Sequence, residues 1–270
     1  MLHTLNDLTG FSINATDGKI GAVKDCYFDD KQWVIRYFIV ETGTWLGNRK
    51  VLLSPISIKY LNLEEKTITL SITMNQVKNS PQVDTHQPIS QQYEIDYLSY
   101  YGYPAYWGNA GFWGAYASPA MIASGSAASL LQRNDDLKIA DTFVAAQSAP
   151  NDLHLRSCND TIQYQVQALD GELGHLHGLL VDEDTWAVRY FIVSTGNWWL
   201  GHQVLMAPSW IKEINWIDAK ISVDMTRQQL KSAPIFDPGV PLSRQKELGI
   251  HRHYNRPGYW ESYIKTRHAS

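Results

Sequence analysis

His175 and His177 stand two apart in an alternating stretch, a spacing that sets two imidazoles on one strand face, as some metal sites require. No cysteine or carboxylate cluster accompanies them, so they read as surface or packing histidines, as do His251 and His253. Asp29-Asp30 and Asp182-Glu183-Asp184 have the composition of paired catalytic carboxylates. Each lies between two apolar runs, where a charged hairpin turn is the simpler reading. Arg36 and Arg189 interrupt otherwise apolar strands. An arginine there lays its stem on the sheet and reaches solvent or a carboxylate, or else it binds a ligand. The chain has no Gly-x-Ser-x-Gly, no phosphate-binding glycine loop, no His-Glu-x-x-His and no Cys-x-x-Cys. We identify no reaction centre, and neither a cofactor nor a metal is expected.

The elements that carry these residues occur twice. Trp33-Val34-Ile35-Arg36-Tyr37-Phe38-Ile39-Val40 returns as Trp186-Ala187-Val188-Arg189-Tyr190-Phe191-Ile192-Val193. The same offset matches Leu2, Asn6 and Asp7 to Leu155, Asn159 and Asp160, and runs on without a gap to Trp107 and Trp260. About a third of the matched positions are identical, which marks an internal repeat. Residues 1–107 form one module with a helical extension, 108–153 a Gly/Ala/Ser-rich linker, 154–260 a second such module, and 261–270 a tail.

Within each module Asp17-Gly18 and Asp170-Gly171 predict a tight hairpin turn with positive φ. A strand follows, with Gly21 and Gly174 marking a bulge or a close backbone approach. The Trp33 strand is apolar on both faces and is predicted to be covered on both. Glycine-bearing loops carry Trp45, and Trp198 with Trp199, before a short apolar strand and a matched proline, Pro55 and Pro208. Two further strands are expected around 56–63 and 66–72. Many short strands with turns between them argue for a small all-β barrel or sandwich. Thr73-x-x-Gln76 and Thr226-x-x-Gln229 are capping boxes. Ser90 and Ser243 are the expected N-caps of a second helix.

Among the 270 residues are two cysteines, ten tryptophans and fifteen tyrosines, with a net charge of −4. That charge, without a run of Lys and Arg, disfavours nucleic acid. Cys26 and Cys158 fall where the other copy keeps a leucine, so both are expected as small buried hydrophobes. Residues 97–132 carry no charge, yet Pro119 and small polar residues dilute them, so no membrane span is expected. The first residues show no signal-peptide pattern and the cysteines no disulfide framework, so a cytoplasmic setting is expected.

Asp17-Gly18-x-Ile20-Gly21, the Trp33 strand, Thr42-Gly43-x-Trp45-Leu46 and Val51-Leu52-Leu53-Ser54-Pro55 together resemble the PRC-barrel family, named for a domain of the photosynthetic reaction centre. Asp170-Gly171-x-Leu173-Gly174, Thr195-Gly196-x-Trp198 and Val204-Leu205-Met206-Ala207-Pro208 carry the resemblance in the second copy. It implies a mainly β fold: two small antiparallel β-barrels, each followed by short helices, used for assembly rather than chemistry. The functional expectation is a non-enzymatic tandem adaptor that binds a protein partner or forms a homo-oligomer. A small-ligand or metal-binding protein with a site between the barrels is one alternative; a ribosome- or RNA-associated factor, by family analogy, is another. Exposed aromatics favour interaction surfaces, so the candidate contact residues are Trp45, Trp198 and Trp199, with Arg36 and Arg189.

Overall fold

The computed structural model describes residues 1–85, 88–107, 111–124, 153–195 and 202–261. The first part runs β1 (Leu2–Thr4), α1 (Leu5–Leu8), β2 (Ser12–Asn14), β3 (Lys19–Asp29), β4 (Val34–Glu41), β5 (Lys50–Leu53), β6 (Ile58–Asn62), β7 (Thr67–Leu70), α2 (Met74–Lys78), α3 (Gln91–Tyr101) and α4 (Pro119–Ala123). The second runs β8 (Leu155–Ser157), α5 (Cys158–Thr161), β9 (Gln165–Ala168), β10 (Gly171–Asp182), β11 (Val188–Ser194), β12 (Gln203–Met206), β13 (Ile211–Asn215), β14 (Lys220–Val223), α6 (Arg227–Lys231) and α7 (Arg244–His253).

The fold is mainly β, with two barrel-like sheets that share one strand order. The first follows β5-β4-β3-β2-β7-β6 and the second β12-β11-β10-β9-β14-β13. Neither path returns to its first strand among the described residues, so each barrel stays open. Most ladders are antiparallel as expected, but β2 pairs β7, and β9 pairs β14, in parallel. These three- and four-residue strands are too short to show a sequence period, so patterning does not predict the parallel pairs. A seventh strand joins each sheet off its path, β8 on β3 and β1 on β10.

The chain divides into two compact units. One holds Met1, His3–Asp160 and Asp182–Val188; the other holds Leu2, Thr161–Val181 and Arg189 onward. In the first unit β4 is buried on both faces, with Val34, Ile35 and Val40 fully enclosed. Enclosing each such side chain contributes roughly 1.5–3 kcal/mol. The strand begins one residue later than the repeat suggests. Trp33 and Trp186 are turn residues with φ near +58° and +59°.

Asp17-Gly18 turns the chain for a reason other than the expected positive φ. Gly18 is not a positive-φ residue, whereas Gly171 of the second turn is, at φ +134°. A Cβ at Gly18 would stand 2.6 Å from the Met74 sulfur. Asp17 Oδ1 accepts the Met74 amide at 2.8 Å, and Asp170 Oδ1 accepts the Arg227 amide at 2.7 Å. The turn therefore anchors the helix that ends each sheet, satisfying one of its free N–H groups. Both capping boxes form around these amides. Gly21 does mark a close approach, since a Cβ would meet the Glu41 carbonyl at 1.9 Å. Gly174 lies at a register shift between β10 and β9.

α3 starts where Ser90 accepts the Tyr93 amide and stops at Gly102, whose φ of +68° suits a C-cap. It lays Tyr97 and Leu98 on Tyr37, Ile39 and Leu52 of its own sheet. Part of the glycine-rich linker packs too: Trp113 is buried, and its Nε1 donates to the Thr185 carbonyl at 2.7 Å. No helix among the described residues is long and apolar enough to cross a membrane.

Candidate functional site

Each sheet covers a polar cluster built on matched residues. In the first unit Tyr37 projects from β4 and Glu94 from the inner face of α3; Tyr106 follows the helix. Glu94 is completely buried. Its Oε1 accepts the Tyr37 hydroxyl at 3.1 Å and the Tyr106 hydroxyl at 2.5 Å. His154 Nε2 lies 2.8 Å from the Tyr106 oxygen and 3.2 Å from Glu94 Oε2. Tyr106 spends its hydrogen on Glu94, so this arrangement closes when His154 Nε2 carries the hydrogen. Burial, reinforced by the Glu94 charge, pushes Tyr37 and Tyr106 well above the usual phenol range. Both hydroxyls therefore stay protonated and act as donors.

The second unit repeats the cluster. Glu247 Oε1 accepts the Tyr190 hydroxyl at 3.0 Å and the Tyr259 hydroxyl at 2.9 Å. A histidine completes it from a different place in the sequence. His251, one turn along α7 from Glu247, sets Nε2 2.9 Å from the Tyr190 oxygen and Nδ1 2.9 Å from the Pro257 carbonyl. Burial pushes the His251 pKa down, so the ring is neutral at pH 7. Nδ1 then donates to Pro257 and Nε2 is an acceptor, the opposite tautomer to His154, so the single Tyr190 hydrogen is shared between Glu247 and His251.

Arg36 and Arg189 lie inside these clusters. The Arg36 guanidinium donates to Asp29 at 3.0 Å, Gln32 at 2.6 Å and the Phe112 carbonyl, and lies 3.7 Å above the Tyr106 ring. Arg189 lies 4.3 Å above the matching ring of Tyr259. The Arg36 guanidinium thus reaches a carboxylate, Asp29, that is itself buried. Asp29 still shapes the turn, accepting the Lys31 and Gln32 amides. Beside it a cleft of about 230 Å³ is lined by Asp29, Gln32, Gln91, Tyr106, Trp107 and His154, with Lys31 at its edge.

Trp45 is half-buried over its own sheet, where Nε1 donates to the Ile20 carbonyl at 2.6 Å. Trp198 and Trp199 lie outside the described residues. His175 and His177 sit on β10, half-buried and exposed, and no group of three metal-ligating side chains occurs among the described residues.

The first unit carries a second feature, the seat of β8 on β3. Tyr27, Phe28 and Asp29 pair antiparallel with Ser157, Arg156 and Leu155. Side chains clasp both ends. Asp25 accepts the Ser157 hydroxyl at 2.6 Å and the Asn159 amide at 3.0 Å, and Arg156 donates to Asp30 at 2.7 Å. Burial raises the Asp25 and Asp30 carboxyls against these stabilising partners. His3 meets Glu183 at 2.7 Å, the same pair one repeat away. Glu94, Glu247, His154 and the β8 seat were not singled out from sequence. The repeat held one signal, because Glu94 and Glu247 coincide at its offset.

No curated protein matches the chain. Residues 2–74, from β1 to the first residue of α2, match the family model of the PRC-barrel domain, and this stretch of the chain is such a domain.

Proposed function

We propose that the chain is a non-enzymatic assembly module that holds an extended protein segment along β3. The observation that carries this reading is the β8 seat. A strand from outside the matched domain completes the sheet by main-chain pairing, and the side-chain contact from Asp25 to Ser157 spans 132 positions. Strand addition of this kind takes affinity from the backbone and selectivity from side-chain clasps. The occupant is a protein partner or another copy of the chain. The polar clusters support a binding role over a catalytic one. Their tyrosine hydroxyls are spent on the two carboxyls, and burial holds those hydroxyls protonated. The second copy is read as a further PRC-barrel, supported by its strand order and the fixed offset. A small polar ligand in the cleft beside Tyr106 and Trp107 is the second reading.

The test replaces Arg156 with proline, which removes a ladder donor from β8. A labelled peptide spanning residues 153–161 is then added to the folded variant. Saturable binding, lost with Asp25→Ala and Asp30→Ala, is the expected result. A folded variant that ignores the peptide would overturn the strand-binding reading.

A further inference from the structure

The β3–β8 ladder sets Tyr27 opposite Ser157, Phe28 opposite Arg156 and Asp29 opposite Leu155. One residue beyond the Tyr27–Ser157 pair come Cys26 on β3 and Cys158, the first residue of α5. Residues directly opposite in an antiparallel pair project to the same face. Tyr27 and Leu155 face α3 in the core. Cys26 therefore lies on the other face of β3, next to the point at which the chain leaves β8 through Cys158. Neither is in a disulfide, and both are buried, at 2% and 4% exposure. Asp25 fixes the local geometry by accepting the amides of Cys26 and Asn159. Each thiol lies within the electrostatic reach of Asp25, and Cys158 within that of Cys26.

From this register we propose that Cys26 and Cys158 form a latent cross-strand disulfide that locks β8 onto β3. The Cα separation of opposed antiparallel residues, about 4.5–5.5 Å, falls inside the range that a disulfide spans. The site reacts with a low-molecular-weight disulfide as oxidant. One cysteine thiolate attacks its S–S bond, forming a mixed disulfide and releasing one thiol. The other thiolate then attacks the protein sulfur of that mixed disulfide and releases the second thiol. The Sγ–Sγ bond forms as the oxidant's S–S bond breaks. The two protein hydrogens end on the two released thiols. Burial, with the Asp25 charge, holds both thiols well above the ordinary range, so few thiolates exist in the closed state. Reaction therefore waits for β8 to lift from β3, or occurs as the chain folds. The cross-link depends on the register alone and stands or falls apart from the strand-binding reading.

The test uses the full chain, unfolded in denaturant and refolded with a mixture of reduced and oxidised glutathione. The expected product is a monomer that has lost two hydrogens, with no titratable thiol. Its Cys26 and Cys158 peptides migrate together until reduced. Its thermal midpoint lies about 10 °C above that of the reduced protein, because the cross-link closes a loop of more than a hundred residues. The variants C26S and C158S, refolded alike, should show no such rise. Two free thiols after refolding, glutathione retained on either cysteine, or a cross-link between two chains would each overturn the proposal.

Discussion

Replacing Glu94 by leucine tests whether the polar cluster under β4 is a structural unit. The carboxyl group holds the Tyr37 and Tyr106 hydroxyls and stands 3.2 Å from His154, and Glu94, Tyr37, Tyr106 and His154 are all buried. A buried polar group stripped of its partner costs roughly 1–3 kcal/mol. Tyr37 loses its acceptor outright while Tyr106 and His154 keep each other, which sets a destabilisation of about 2–4 kcal/mol for Glu94→Leu, towards the lower end if water enters from the cleft beside Tyr106. Glu94→Gln keeps an acceptor for both hydroxyls and should cost about 1–2 kcal/mol. The decisive measurement is a denaturant-unfolding cycle with Tyr37→Phe. In the native background that change removes one bond, worth about 1 kcal/mol. In the Glu94→Leu background it removes a hydroxyl that has already lost its acceptor, and stability should hold or rise. A coupling energy above about 1 kcal/mol is expected. Additivity within about 0.5 kcal/mol would refute the cluster as the unit.

Gly21→Ala forces a Cβ onto the Glu41 carbonyl and should lower the thermal midpoint far more than Gly18→Ala, which meets only the movable Met74 sulfur. Thr73→Ala and Thr226→Ala each lose a capping box and should cost about 1 kcal/mol in chemical denaturation. Trp45→Ala should destabilise by roughly 2–4 kcal/mol with sedimentation unchanged, since its indole is tied to its own sheet. His251 is held below its usual pKa by burial, beside Tyr190, Glu247, Arg244 and Glu261. The unfolded chain therefore binds the proton first, and stability falls as pH drops below about 6.5 until the folded ring also protonates. Unfolding curves between pH 7.5 and 5 should show this loss in the native chain and less of it in His251→Gln.

The sheets were legible because their strands alternate or run apolar over lengths that fix a period. β4 and β11 are the clearest, their match at one offset locating both copies. The caps at Thr73, Ser90, Thr226 and Ser243 were legible for a local reason: each lies within four residues of the amide it holds. The β8 seat was not, because three residues have no period and their partners lie more than a hundred positions away. His154 and His251 escaped for a related reason. Each joins its cluster from a different position of the repeat and at a different tyrosine, His154 at Tyr106 and His251 at Tyr190, so matching the copies does not find them. Arg36 read as an interruption because its partner, Asp29, looked like an ordinary turn residue. Asp29 does both jobs, capping the turn with one oxygen and holding the guanidinium with the other.

Trp33 and Trp186 show how the repeat is used. A bulky residue at φ near +58° is an outlier that costs on the order of 1 kcal/mol, and the chain adopts it at both matched positions. Each follows a turn closed by its own amide, to Asp29 at 2.8 Å and to Asp182 at 2.7 Å. The conformation turns each tryptophan carbonyl away from its hairpin. Trp33 then accepts the Val188 amide at 2.7 Å, and Trp186 the Ile35 amide at 2.8 Å. Val34 and Ala187 form the bridge between them. Donor and acceptor exchange under the repeat: the carbonyl of each tryptophan takes the amide two residues beyond the other, all within the first unit. The rings differ: Trp33 stacks on Phe28 of its own hairpin, whereas Trp186 packs edge-on to Phe38 of β4. The strained tryptophans thus offset their own cost through a contact that only the second copy's hairpin, Asp182–Val188, can supply to the first unit.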